Sequence, residues 1–155
     1  MRTVVCHTLK NLWGLAAWVG ALGVLSGCGE ASDGGEKAFV AYCSACHGAD
    51  GRGVDRAGPP FVGSSWVDGS ESRLVRIVLH GVRGTIEVGG KTYSLEMPSF
   101  GVALDDVQIS RVLTYVRRRF GSTSKPVTPE DVARIRAETR NREKYWTAEE
   151  LLELR

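Results

Sequence analysis

Histidine and methionine are scarce in this chain, and cysteine is thinly spread; each scarcity narrows the chemistry on offer. Among 155 residues there are three histidines and two methionines, one of the latter the initiator. The four cysteines, Cys6, Cys28, Cys43 and Cys46, do not suggest a disulfide framework, because two sit in an N-terminal leader and two in one short motif. No βαβ pattern accompanies that motif, which argues against a thioredoxin-like redox pair. Charge of one sign is not in excess either. The formal net charge is +2, and without Arg2 and Lys10, the only charges before Cys28, the 20 basic residues fall to 18 and match the 18 acidic ones. Such a balance gives no reason to expect nucleic acid as a partner. The uncharged apolar run from Leu12 to Leu25 has about 14 residues, short of the roughly 20 that a membrane-spanning helix needs.

That run follows a basic start and ends in Leu25-Ser26-Gly27-Cys28, so residues 1–27 read as a signal peptide. The tetrapeptide resembles the lipobox of bacterial lipoproteins, in which the cysteine is lipidated and becomes the first mature residue. Acyl chains on Cys28 would then anchor the domain in place of a transmembrane helix. The alternative is ordinary cleavage after a small residue, which leaves a soluble protein with a spare thiol. Both readings imply export, here to the bacterial periplasmic side. Residues 28–33 then form a short tether, and Cys6 has no assigned role.

The chemistry is concentrated in Cys43-Ser44-Ala45-Cys46-His47. A C-x-x-C-H run reads as attachment of one covalent haem c. Two thiols add across the haem vinyl groups, and the adjoining His47 supplies an imidazole as an axial iron ligand. A zinc site would need two further ligands. The other cysteines lie in the leader, and His80 is the only histidine left outside it. Met97 is the single methionine after the initiator, and Pro98 beside it stiffens the backbone and disfavours helix. A loop that must hold sulfur on iron needs that stiffness. His80 is the competing sixth ligand, but its place before Gly81 also suits a plain helix C-terminus.

The stretch 34–121 resembles the class I c-type cytochrome domain. The matching pieces are Cys43 to Gly48, then Gly58-Pro59-Pro60, then Met97-Pro98, then a closing helix with Leu113-Thr114-Tyr115-Val116. The resemblance implies an all-α fold, with three main helices around one haem. It implies Met97 as the sixth ligand, in a loop before the last helix. It also implies that the Pro59 carbonyl accepts the second ring N–H of His47, which would fix the ring and raise its basicity. Arg52, Arg56 and Trp66 are candidate partners for the haem propionates, with solvated surface the ordinary fate of each arginine.

Local signals outline the rest. Asp33 and Glu36 read as a capping box opening the first helix. Ser70 caps a second helix carrying Leu74, Ile77 and Val78 on one face. Residues 85–93 read as a short β-hairpin with a Gly89-Gly90 turn. Asp105 and Gln108 form a further box, stapled by Leu104 and Ile109. The following helix carries Ile109, Val112, Leu113, Val116 and Phe120 at helical spacing. Residues 122–155 form a linker and helical C-terminal tail, with starts at Thr128-Pro129 and Thr147-Ala148-Glu149-Glu150. This tail is either a solvated helical extension or one that docks Trp146, Leu151, Leu152 and Leu154 on the body or on a partner. It resembles extensions on cytochrome subunits that accompany bacterial periplasmic dehydrogenases.

The expected function is electron transfer, not catalysis: a membrane-anchored carrier cycling one haem c between ferric and ferrous states. Its expected partners are redox proteins: a periplasmic dehydrogenase, an oxidase or another cytochrome. The alternatives are a small haem enzyme, either a peroxidase or a sulfur-compound oxidase, and a non-redox haem sensor.

Overall fold

In the computed structural model, residues 30–122 and 125–154 are described; Cys6, Cys28 and the leader lie outside them. The first helix, α1 (Glu30–Tyr42), is followed by α2 (Ser44–His47), α3 (Ser65–Asp68) and α4 (Glu71–His80). A hairpin of β1 (Val82–Val88) and β2 (Lys91–Met97) comes next, and α5 (Asp106–Arg119), α6 (Pro129–Glu138) and α7 (Ala148–Glu153) complete the order. No helix among the described residues is long and apolar enough to cross a membrane.

The core forms where α1 crosses α5. Gly35 permits that crossing: a Cβ there would lie 2.5 Å from the Arg111 carbonyl oxygen and 3.0 Å from Tyr115 Cβ. Phe39 of α1 is 1% exposed. Its ring lies 5.1 Å from that of Phe120 and 5.5 Å from that of Tyr115. On α5, Ile109, Val112, Leu113 and Val116 face this core, as the helical spacing requires. The α5 start is fixed by its box: Gln108 N–H donates to Asp105 Oδ1 at 2.7 Å, and Asp105 N–H to Gln108 Oε1 at 3.0 Å. Ser70 caps α4 through its Oγ, which accepts from Arg73 N–H at 3.4 Å. The helix packs Leu74, Val75, Val78 and Leu79 into the same core.

The expected all-α fold is overturned, because the hairpin is a structural layer of its own. Its strands are seven residues each, paired antiparallel from Val82 opposite Met97 to Val88 opposite Lys91. Gly89 and Gly90, at φ 58° and 75°, make the turn, and positive φ at both central positions matches the right-handed strand twist. The architecture is mixed α and β. A second expectation also changes: Asp33 lies inside α1, which already begins at Glu30, instead of capping it.

The tail folds back onto the body. Val127, Val132 and Ile135 join the core of α1, α4 and α5. Trp146, Ala148 and Leu151 join a second cluster with Trp66, Ile77 and Val88. Thr128 and Thr147 cap α6 and α7 as their sequences require. Docking is selective along α7: Leu151 is fully buried and Leu154 packs at the edge of the cluster, while Leu152 remains 60% exposed.

Candidate haem-binding site

The C-x-x-C-H run occupies one helical turn. His47 N–H donates to the Cys43 carbonyl at 3.0 Å, and Cys46 N–H to the same oxygen at 3.2 Å. Residues three and four apart share a helix face, so Cys43, Cys46 and His47 turn the same way. Both thiols are free; Cys43 is half-buried and Cys46 exposed. Burial and the neighbouring Cys46 push the Cys43 thiol up to about 11.

The loop after His47 is built to aim one carbonyl. Gly48, Gly51 and Gly53 all take positive φ, which glycine adopts without steric cost. Gly53 N–H donates to the His47 carbonyl at 2.8 Å, and Phe61 N–H to the Gly51 carbonyl at 2.8 Å. The loop passes so close to the motif that a Cβ on Gly58 would sit 2.7 Å from the Cys46 carbonyl oxygen. The outcome is a 2.8 Å hydrogen bond between His47 Nδ1 and the Pro59 carbonyl. A carbonyl only accepts, so Nδ1 carries the proton and Nε2 keeps its lone pair. The ring also stacks on Phe61, with centroids 4.1 Å apart and planes 16° from parallel. Sequence reasoning missed Phe61; its position two residues after Pro59 was the available signal. His47 is 8% exposed, and burial lowers its pKa against the opposing effect of the Pro59 bond. The imidazole is therefore held neutral, as a metal ligand must be.

Cys43, Cys46, His47, Pro59 and Met97 all line one cleft, with walls of Leu74, Ile77, Val78, Val112 and Val116. The hairpin closes it with Val82, Ile86, Val88, Tyr93 and Leu95. Sequence reasoning underestimated this wall, because the strands extend beyond 85–93 to Val82 and Met97. Met97 ends β2 opposite Val82 instead of standing in a free loop. It is half-buried and touches both hydrophobic clusters. Glu96 is the carboxylate in the lining, and it is paired with Arg83 at 2.8 Å.

The other candidates go elsewhere. Trp66 lines the cleft, but its indole N–H donates to the Glu87 carbonyl at 2.9 Å. Arg52 and Arg56 are exposed beside Asp50 and Asp55, at 3.7 and 3.8 Å. His80 is not in the lining; its Nε2 lies 2.7 Å from Thr139 Oγ1 in the tail. The Thr139 hydroxyl also lies 2.7 Å from the Ile135 carbonyl oxygen, so His80 is tied to α6 and not to the cleft. Burial first, then Arg142, lowers the His80 pKa.

These residues fit a haem. Two free thiols stand one turn apart, and a buried imidazole has its outer nitrogen tied to a carbonyl. A thioether lines the same cleft, and the walls are apolar. Comparison with known proteins points the same way. Residues 30–116 match the family model described as cytochrome c oxidase, cbb3-type, subunit III. The chain is 33% identical over 123 residues to cytochrome c-552 of Thermus thermophilus, covering 74% of this chain and 82% of that protein. It is 35% identical over 115 residues to the gluconate 2-dehydrogenase cytochrome c subunit of Pantoea cypripedii, covering 70% of this chain. It is 31% identical over 116 residues to the cytochrome c subunit of the quinone alcohol dehydrogenase of Gluconacetobacter polyoxogenes, covering 73% of this chain. The last two matches span only 25% and 24% of those longer subunits. The chain belongs to this cytochrome family: it is a monohaem class I c-type cytochrome, a haem electron-transfer protein whose cofactor is covalently bound haem c.

Proposed function

We propose that the protein is a periplasmic electron carrier, anchored to a membrane through a lipidated Cys28, that passes single electrons from a dehydrogenase to an oxidase or soluble acceptor. Cys43 and Cys46 hold the haem, and His47 and Met97 are its axial ligands. The observation that carries this reading is the convergence of His47, with its Nδ1 committed to Pro59, and Met97 on a single apolar cleft.

When bound, the haem supplies a one-electron ferric/ferrous couple. Attachment adds each thiol S–H across a vinyl group, so both cysteines become thioethers and lose their ionisable proton. The Pro59 hydrogen bond fixes the His47 ring and raises its basicity, and Phe61 prevents it from tilting. A methionine–histidine pair favours a raised potential, and the apolar walls disfavour the additional charge of the oxidised state. With His47 and Met97 both holding the iron, a substrate would have no route to it. The carboxylate in the lining, Glu96, is already paired with Arg83. The cleft's described lining therefore offers no unpaired carboxylate for acid–base catalysis, which favours a carrier over a peroxidase or a sulfur-compound oxidase. The dehydrogenase partner is supported by the names of the relatives above. The lipid anchor is supported by Leu25-Ser26-Gly27-Cys28 in the sequence.

Carbon monoxide tests the assignment. A reduced carrier with both positions filled should bind it poorly; rapid, tight binding would establish an open site and favour an enzyme or gas sensor. For the anchor, Cys28→Ser should convert membrane-associated protein to a soluble form. Unchanged association would remove Cys28 from the proposal.

A further inference from the structure

The backbone on either side of Met97 is tied to the C-terminal tail. Before it, the tie runs through the sheet. Met97 pairs with Val82, and Val82 in turn bridges to Trp146 in parallel register. Arg83 N–H donates to the Trp146 carbonyl at 2.8 Å, and Trp146 N–H to the Gly81 carbonyl at 3.1 Å. Trp146 thus forms a single-residue bridge to the edge of β1 away from Met97. Gly81, at φ 76°, has no room for a Cβ between the Met97 carbonyl and the Tyr145 ring.

After Met97, the tie is one side chain. Arg136 of α6 directs Nε to Asp106 Oδ1 at 2.7 Å and Nη2 to the Leu104 carbonyl at 2.9 Å. Its Nη1 takes the Gly101 carbonyl. The segment 98–105 joins Met97 to α5, and Arg136 binds two of its carbonyls and the first residue of the helix beyond it. A planar guanidinium holds such a set in fixed geometry, which an ammonium cannot do. Arg136 and Asp106 are about two-thirds buried, with side chains 34% and 31% exposed, so water screens the ion pair only in part.

A thioether is a neutral, weak ligand. Its place on iron therefore depends on the backbone being ordered already, because any freedom in the segment must be given up to form the bond. We propose that residues 129–151 brace, from outside the cleft, the backbone on both sides of Met97, and that Arg136 is the positioning residue that keeps Met97 in ligating position. The proposal rests on the reading of Met97 as an axial ligand. The tail supplies no ligand of its own. It sets, from outside the cleft, how readily an external ligand can displace the sulfur.

The test is imidazole titration of the ferric holoprotein, alongside the near-infrared charge-transfer band of sulfur on ferric haem. Arg136→Ala should tighten imidazole binding by about tenfold, in keeping with the loss of charge-assisted hydrogen bonds, and should lose the band at a lower temperature. Arg136→Lys, which keeps the charge and loses the fork, should fall between. Val132→Ala is the control: it removes fully buried α6 volume and leaves the Arg136 contacts in place. It should lower thermal stability with imidazole affinity within about twofold of the unmodified protein, well inside the tenfold effect. Unchanged affinity in Arg136→Ala would overturn the proposal, as would an equal shift in Val132→Ala. If Arg136→Ala yields no holoprotein, Arg136→Lys decides alone. Absence of the band from the unmodified protein would instead refute the axial assignment, whatever Arg136 does.

Discussion

Leu151→Ala should destabilise the holoprotein by about 2–5 kcal/mol, the range for a fully buried leucine that leaves a cavity. Leu151 is 0% exposed, packed with Trp66, Ile77, Val88 and Trp146. The Leu151 carbonyl accepts from Arg73 Nε at 3.0 Å, and that backbone bond survives the substitution, so the loss is one of packing alone. The neighbouring Leu152 provides an internal standard. It stands on the same short helix with the same propensity, but is 60% exposed, and Leu152→Ala should stay within about 0.5 kcal/mol. For a domain of this size, about 3 kcal/mol corresponds to roughly 10 °C in Tm. Thermal and denaturant unfolding of both variants, followed at the haem band and in the far ultraviolet, measure the difference. Equal effects for the two leucines, or a loss below about 1 kcal/mol for Leu151→Ala, would refute docking of α7 on the body.

Gly35→Ala should cost about 1–3 kcal/mol by overpacking, because the new Cβ meets the Arg111 backbone; Gly34→Ala, which meets only the Arg111 side chain, should cost less in the same denaturant titration. Replacing Cys43 and Cys46 together with alanine should release haem on acid–acetone extraction, whereas the unmodified protein should retain it. The Asp131 carboxyl is held below its usual range by Arg134 first and Thr128 next, and that of Glu150 mainly by the Thr147 backbone N–H. Both bind protons more weakly folded than unfolded, so their stabilisation is complete above the ordinary carboxylate range and is lost as pH falls through the folded values. The double variant Asp131→Asn, Glu150→Gln should therefore show a shallower fall in Tm on acidification below about pH 4; an identical slope would contradict this.

What was legible in the sequence follows from the range of each interaction. The starts of α4, α5, α6 and α7 could be read because a cap and its N–H lie two or three residues apart, as at Ser70, Asp105, Thr128 and Thr147. The C-x-x-C-H run was legible for the same reason, and the His47–Pro59 contact, twelve residues apart, came through family resemblance. The hairpin turn was evident from Gly89-Gly90, but the strand lengths were not. Val82 and Met97 are held in register partly by Trp146, far along the chain. The first helix was placed too late, since a plausible Asp33–Glu36 box also fits inside a longer helix. Helix signals in the tail said nothing of its destination. That depends on Val132 and Ile135 meeting the α4–α5 core and on Arg136 meeting carbonyls of the 101–104 segment.

The assignment of His47 and Met97 as the two axial ligands is tested most directly by the near-infrared spectrum of the ferric protein and of its Met97→Ala variant. The unmodified protein should show the charge-transfer band of sulfur on ferric haem. In the variant the band should disappear and the reduction potential fall, since a thioether favours the reduced iron. A spectrum that Met97→Ala leaves unchanged would contradict the account and place the sixth ligand on another residue.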